Sequence, residues 1–429
     1  MNKISPLMPS DLEVLMHDLG LRARAAGQAL SQLSAATRSA GLMAMANQLT
    51  VEADQILAMN AKDMQAARQK GISPAFLDRL ELTPARIYAM ADGIRAIAKM
   101  ADPVGRELKR WTVPSGLDIA RVSTPLGVIG MIYESRPNVT ADAGALCIRS
   151  GNAVILRGGS ESRHSAAAIA NVLRQALETS GLPVDAIQSV PTTDRAAVGY
   201  MLSGLNGSLD VVIPRGGRSL VERVQAEARI PVIGHLEGLV HIYTDGSLDL
   251  ALSTEIILNS KLRRPGICGA LETLLVDRAC AASQLPALVE ALSAAGCSLR
   301  GDDASRALCP DIEAATEQDW RTEYLAPILS IRLVDGLDGA LGHIAQYGSG
   351  HTECILTANE TSAERFFAEV DAGILLHNTS TQFADGGEFG MGAEIGISTG
   401  RIHTRGPVGA EQLTLYKYIV RGQGQVRPD

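Results

Sequence analysis

At 429 residues the chain is long enough for two or three domains, and its 46% hydrophobic and 20% charged residues describe a globular protein rather than a disordered one. A net charge of −8 with only 3% aromatic residues argues against a nucleic-acid binder, which needs a basic face and stacking side chains. No apolar run reaches the length of a bilayer span, and Met1-Asn2-Lys3-Ile4-Ser5-Pro6 lacks the apolar core of a signal peptide, so the cytoplasm is the expected location.

Residues 10 to about 100 read as helices. Ser10-Asp11-Leu12-Glu13 has the form of a capping box, and apolar positions follow at helical spacing through Leu30. Ser73-Pro74 and Thr83-Pro84 each place an N-cap before a proline at the first helical position. Over 105–122 the texture changes to short strand-like pieces broken by Pro114 and Gly116, which predicts a hairpin or arm.

From Asn152 strand and helix alternate. Ala153–Leu156 is a strand ending in Arg157-Gly158-Gly159, followed by a helix over Ser162–Ser180, a strand at Ile187–Val190 and a helix from Asp194. Asp210–Ile213 is the next strand, ending in Pro214-Arg215-Gly216-Gly217 before another helix. This alternation implies βαβ units, a parallel sheet covered on both faces, and ligands at the carboxyl ends of the strands. Both Gly-Gly turns fall at those ends. They are phosphate-cradle candidates, with ordinary tight turns as the even alternative.

A second strand-rich unit begins near Glu237, carries Cys268 and continues past Gly350. The last segment, Gln412–Val420, alternates like a strand with one exposed face, and such an edge needs a partner, for which another subunit is a candidate.

The run Arg263-Arg264-Pro265-Gly266-Ile267-Cys268-Gly269 sets a cysteine between two glycines and after a basic pair. Glycines let a backbone pass close to a ligand, and neighbouring cations favour the nucleophilic thiolate. A buried structural cysteine is the competing reading. The other cysteines, Cys147, Cys280, Cys297, Cys309 and Cys354, form no Cys-x-x-Cys pair, and the eight histidines are dispersed. Local spacing therefore predicts neither a disulfide framework nor a metal centre.

Several segments in order carry a resemblance. They are Pro125-Leu126-Gly127-Val128-Ile129-Gly130, Tyr133-Glu134-Ser135-Arg136-Pro137-Asn138-Val139-Thr140, Gly151–Gly159, the Cys268 segment, and Phe389–Ile395 followed by His403-Thr404-Arg405-Gly406-Pro407. The chain resembles the aldehyde dehydrogenase superfamily over nearly its whole length, most loosely in the first hundred residues. It departs in having Ile267 and Gly269 beside the cysteine, where members often have Ser or Thr before it and Asn after.

The resemblance implies an α/β fold of the aldehyde dehydrogenase type. A Rossmann-like NADP-binding domain would comprise 1–104 and 123–236, a catalytic domain 237–398, and an oligomerisation hairpin and C-terminal strand 105–122 and 399–429. The same resemblance makes Cys268 the nucleophile on an acyl phosphate, L-glutamate 5-phosphate, which NADPH reduces to the 5-semialdehyde in proline biosynthesis. Asn138 would donate to the oxyanion, although a turn-former after proline is the local alternative. Arg157 stands where a lysine commonly reaches the adenosine ribose, and a guanidinium there suits a 2′-phosphate. Arg215, Gly216 and Gly217 would approach the pyrophosphate, and Glu323 would hold the nicotinamide ribose or be a surface acid. Arg263 and Arg264 would hold the substrate phosphate or be surface charges, and Glu237 would be positional. A hydrolytic dehydrogenase acting on another semialdehyde, with Glu237 activating water, is the alternative function. Expected partners are further copies of the chain and a separate glutamate 5-kinase, for whose domain the chain has no room.

Overall fold

The computed structural model describes residues 9–427. Five helices come first: α1 (Pro9–Ser31), α2 (Ala35–Val51), α3 (Ala53–Gln69), α4 (Pro74–Leu80) and α5 (Pro84–Lys99). The starts of α2 and α5 follow capping chemistry, because a helix N-terminus leaves backbone donors open, whereas Ser73 at the head of α4 makes no side-chain cap. Ser34 accepts from the Thr37 N–H at the head of α2, and Thr83 from the Arg86 N–H at the head of α5. The side chain of Ser10, expected to cap α1, lies outside the described residues. In α5 the buried residues Ile87, Met90, Ala91, Ile94, Ile97 and Ala98 recur every three or four positions and form one stripe.

The hairpin follows as β1 (Glu107–Thr112) antiparallel to β2 (Asp118–Pro125). The C-terminal strand, Thr414–Arg421, runs antiparallel along β2, with Thr414 opposite Pro125 and Arg421 opposite Asp118. The chain's own β2 thus supplies the partner for which another subunit was a candidate. This strand is exposed at most of its positions rather than at alternate ones. Cross-strand contacts stabilise it instead: Trp111 and Tyr418 meet edge to face, and the Arg121 guanidinium lies over the Tyr416 ring at 4.8 Å.

Two compact units divide the chain. One comprises the chain through Gly234 together with Met391–Gly396 and the residues from Val408 onward; the other comprises His235–Gly390 and Ile397–Pro407. The first contains a four-stranded sheet of β3 (Val128–Tyr133), β4 (Ala153–Gly158), β5 (Ile187–Ser189) and β6 (Val211–Arg215), all parallel in the order β5-β4-β3-β6. Helices α6 (Asn138–Arg149), α7 (Arg163–Thr179) and α8 (Ala196–Leu202) connect successive strands, and α9 (Arg218–Glu227) follows β6. The expected strands from Ala153 onward are present. Central β3 is an addition: all six of its residues are buried, so it lacks the alternation that marks a half-exposed strand.

The second unit has a seven-stranded sheet, likewise parallel. Its strands are β7 (Val240–Thr244), β8 (Leu271–Asp277), β9 (Ser298–Gly301), β10 (Glu313–Ala314), β11 (Ile328–Val334), β12 (Thr352–Leu356) and β13 (Ile374–His377), in the order β10-β9-β11-β8-β7-β12-β13. Helix α10 (Leu250–Leu262), capped by Asp249, connects β7 to the loop that precedes β8. Ile242, Leu274, Ile331 and Leu356 from four of these strands share one core. Among the described residues no helix is long and apolar enough to cross a membrane.

Candidate active site

Cys268 lies partly exposed in the loop that joins α10 to β8, where the Ala270 N–H donates to the Ile267 carbonyl at 3.0 Å and closes a turn. The loop is packed tightly from outside. A Cβ on Gly238 would stand 2.1 Å from the Cys268 carbonyl oxygen and 2.9 Å from its Cα, well inside the 3.0 Å below which such contacts essentially never occur. A Cβ on Gly269 would meet the Thr381 carbonyl at 3.1 Å. The backbone of the cysteine is therefore held between two other segments, and only hydrogen fits at 238.

An acid occupies the far side of Gly238. Its N–H donates to Glu323 Oε1 at 3.0 Å. Burial pushes the Glu323 carboxyl up, opposed by that hydrogen bond and by His235, while the nearby Glu237 pushes it further up. Thus Cys268, Gly238, Glu237 and Glu323 come together, although 85 residues separate 238 from 323. Close to Glu323, Lys261 Nζ meets Glu272 Oε2 at 2.6 Å with both side chains buried. Burial raises Glu272 to about 7 against the pull of Lys261, and Glu272 Oε1 accepts from the Leu325 N–H at 3.3 Å. Leu325 has φ +52°, a left-handed conformation unusual for a branched side chain, and this hydrogen bond helps hold it.

Two imidazoles approach the thiol. One ring nitrogen each of His235 and His351 and the Cys268 Sγ lie within 4.8 Å of one another. His235 Nδ1 hydrogen-bonds the Ile397 carbonyl at 2.7 Å, and His351 Nδ1 pairs with Thr352 Oγ1 at 2.9 Å. The other five thiols are poorly placed for nucleophilic work. Burial pushes all of them up: Cys354 to about 12, Cys297 to about 11, and Cys147, Cys280 and Cys309 in the same direction.

In the first unit the candidates gather at the carboxyl ends of β3, β4 and β6, where Tyr133 is opposite both Gly158 and Arg215. Arg157 donates through Nη1 to the Gly158 carbonyl at 2.8 Å and through Nη2 to the Thr193 carbonyl at 3.1 Å, while its Nε is buried without a partner. Burial lowers its pKa, countered by Glu161. The Gly217 N–H donates to Glu134 Oε2 at 2.9 Å, so this amide already serves a carboxylate. Asn138 opens α6 and its Nδ2 donates to Asp142 Oδ2 at 2.9 Å. Burial lifts Asp142 to about 6, with Asn138 and Arg215 holding it down. Arg263 and Arg264 are exposed at the end of α10.

Glu134, Asp142, His235, Gly238, Lys261, Glu272 and His351 escaped the reading of the sequence. Only Asp142 had a local signal, being four residues from Asn138 on one helix.

The chain and its fold are similar to those of known proteins. The model of the aldehyde dehydrogenase family matches residues 17–318, and the chain belongs to that family. Curated relatives narrow the likeness. A gamma-glutamyl phosphate reductase of Hyphomonas neptunium is 62% identical over 413 residues, 96% of each chain. One of Mesorhizobium japonicum is 57% identical over 428 residues, the full length of both. The crystal structure of gamma-glutamyl phosphate reductase from Thermotoga maritima superposes with a TM-score of 0.94 at 41% identity, covering 96% of this chain and all of that one. An acetylating aldehyde dehydrogenase from Geobacillus thermoglucosidasius shares the fold, with a TM-score of 0.70 at 19% identity over 98% of this chain and 99% of its own.

Proposed function

We propose that the chain reduces gamma-glutamyl phosphate to glutamate 5-semialdehyde with release of inorganic phosphate, the second step of proline biosynthesis. The carrying observation is identity of 57–62% over 96–100% of the chain to relatives bearing that enzyme's name, in a chain whose Cys268 backbone is locked against Gly238. The Cys268 thiolate attacks the acyl carbon, the C–O bond to phosphate breaks, and a thioester remains on Sγ. The Cys268 N–H and the Asn138 amide, oriented by Asp142, are assigned to the oxyanion. When bound, the reduced nicotinamide supplies the hydride that converts the thioester to a hemithioacetal, whose collapse frees the aldehyde and returns the thiolate.

NADPH is the cofactor we assign. Arg157 supports this choice, because a buried Nε without a partner at a strand's carboxyl end suits a phosphate more than a hydroxyl. Arg215 and the Gly216-Gly217 turn are assigned to the pyrophosphate, with Glu134 already on the Gly217 amide as the feature that has to give way. Glu323 is assigned to the nicotinamide ribose, Arg263 and Arg264 to the substrate phosphate, and Glu237 to positioning. A cytoplasmic homo-oligomer using the β1–β2 and C-terminal strand ribbon, in association with a separate glutamate 5-kinase, completes the proposal.

The test supplies glutamate 5-semialdehyde and NADP and follows NADPH formation with and without inorganic phosphate. Phosphate as the acceptor of the thioester makes turnover phosphate-dependent. Robust turnover to free glutamate in phosphate-free buffer, abolished by Glu237→Gln, would establish the hydrolytic dehydrogenase instead.

A further inference from the structure

We propose that His235, Cys268 and His351 form a binding site for a borderline-soft divalent cation, Zn2+, which switches the nucleophile off reversibly. The donor set is two imidazole nitrogens and one thiol sulfur, all within 4.8 Å of one another. Zn2+ takes such ligands at about 2.0–2.3 Å, which puts donor atoms of a tetrahedral site about 3.3–3.6 Å apart. Side-chain adjustments of about 1 Å close the difference, small against the reach of a rotamer change.

Two further observations point to a ligand. His351 is fully buried and its Nε2 has no hydrogen-bond partner, an unsatisfied group that costs free energy until something fills its place. Nδ1 of each ring is already engaged, in His235 by the Ile397 carbonyl and in His351 by Thr352 Oγ1. A carbonyl can only accept, so Nδ1 of His235 carries the proton of that hydrogen bond. Fixing the ring through its distal nitrogen is how metal-ligating histidines are held. Cys268 and His235 are partly exposed, which gives an ion a way in and leaves a fourth position for water.

Binding replaces the thiol proton, released to solvent, with a Zn–S bond, and nothing is oxidised or reduced. The three ligands come from the segment before β7, the loop before β8 and the segment before β12, so no Cys-x-x-Cys or His-x-x-x-His spacing announces them. Inhibition, unlike binding, rests on the reading of Cys268 as nucleophile.

The experiment uses the purified full-length protein and reads binding without substrate. Co2+ should give a near-ultraviolet thiolate-to-metal charge-transfer band that Zn2+ displaces with one-to-one stoichiometry. Cys268→Ser should abolish the band, Cys280→Ser and Cys297→Ser should keep it, and His235→Gln and His351→Gln should each weaken Zn2+ by roughly 100-fold. His235 is partly exposed, so its variant serves if the His351 variant misfolds on circular dichroism. No charge-transfer band in the wild-type protein, or unchanged Zn2+ affinity in the histidine variants, overturns the site. In turnover assays Zn2+ should inhibit and a chelator restore activity. Metal binding as described with turnover intact would uphold the site and remove Cys268 from the chemistry.

Discussion

Adding one methyl group at Gly238 should cost this protein most of its activity. In Gly238→Ala the new Cβ would sit 2.1 Å from the Cys268 carbonyl oxygen, and contacts below 3.0 Å are essentially unknown, so about 1 Å of displacement is required. The colliding atoms belong to the backbone of Cys268 itself, not to a side chain that can swing away. A misplacement of about 1 Å typically costs on the order of 100-fold in rate, or about 2.7 kcal/mol in the activation barrier. Overpacking should lower stability by about 1–3 kcal/mol as well. Gly266→Ala is the control, since its Cβ would meet nothing closer than the Leu325 carbonyl at 3.9 Å, and kcat should stay within about twofold. Steady-state kcat with the acyl phosphate, the rate of Cys268 alkylation by iodoacetamide and a thermal melt read the three consequences. A Gly238→Ala protein with ordinary kcat and an unshifted melt would refute a role for this glycine in fixing the Cys268 backbone.

Cys268→Ala should abolish turnover while NADPH still binds, whereas Ala at Cys280 or Cys309, whose thiols are raised by burial, should retain most activity; steady-state kcat and a fluorescence titration of NADPH decide it. Arg157→Ala should raise the KM for NADPH at least about tenfold and that for NADH much less, and an equal loss for both would make the guanidinium a strand-end brace to the Gly158 and Thr193 carbonyls. Asp142, lifted by burial from 3.8 to about 6, favours its protonated form in the folded state. Its contribution to stability is therefore full below about pH 4 and lost as pH rises through about 6, at most about 3 kcal/mol. Urea titrations across pH 4–7 should show wild type losing stability relative to Asp142→Asn, and parallel curves would contradict the shift.

What could be read in the chain and what could not divide along physical lines. Arg157 and Arg215 were legible because short apolar strands end at them and helices begin just beyond, a local pattern of period and breaker. Cys268 was legible because glycine, proline and a basic pair crowd around it. The central strand β3 gave no alternation because both of its faces are buried. Gly238, Glu272 and His351 act through neighbours far along the chain, and no window of sequence holds both ends of such a contact. Asn152 is intermediate. It stood in a motif whose reason appears only in three dimensions: its Oδ1 accepts from the Gly127 N–H at 2.7 Å and its Nδ2 donates to the Leu413 carbonyl at 2.9 Å.

That last bond has a consequence for synthesis. Leu413 belongs to the same hydrophobic core as α2 and β3, along with Ile395, Val408 and Ala410, and the strand after it completes the ribbon on β2. Synthesis must therefore pass residue 413 before the first unit can finish folding, while the residues of the second unit emerge in between. Contacts spanning some 260 residues are slow to close and leave open strand edges waiting for their last partner. Truncation by even twenty residues at the C-terminus should expose β2 and yield aggregates, whereas a fragment of His235–Pro407 bridged across 391–396 has every strand of its seven-stranded sheet within itself.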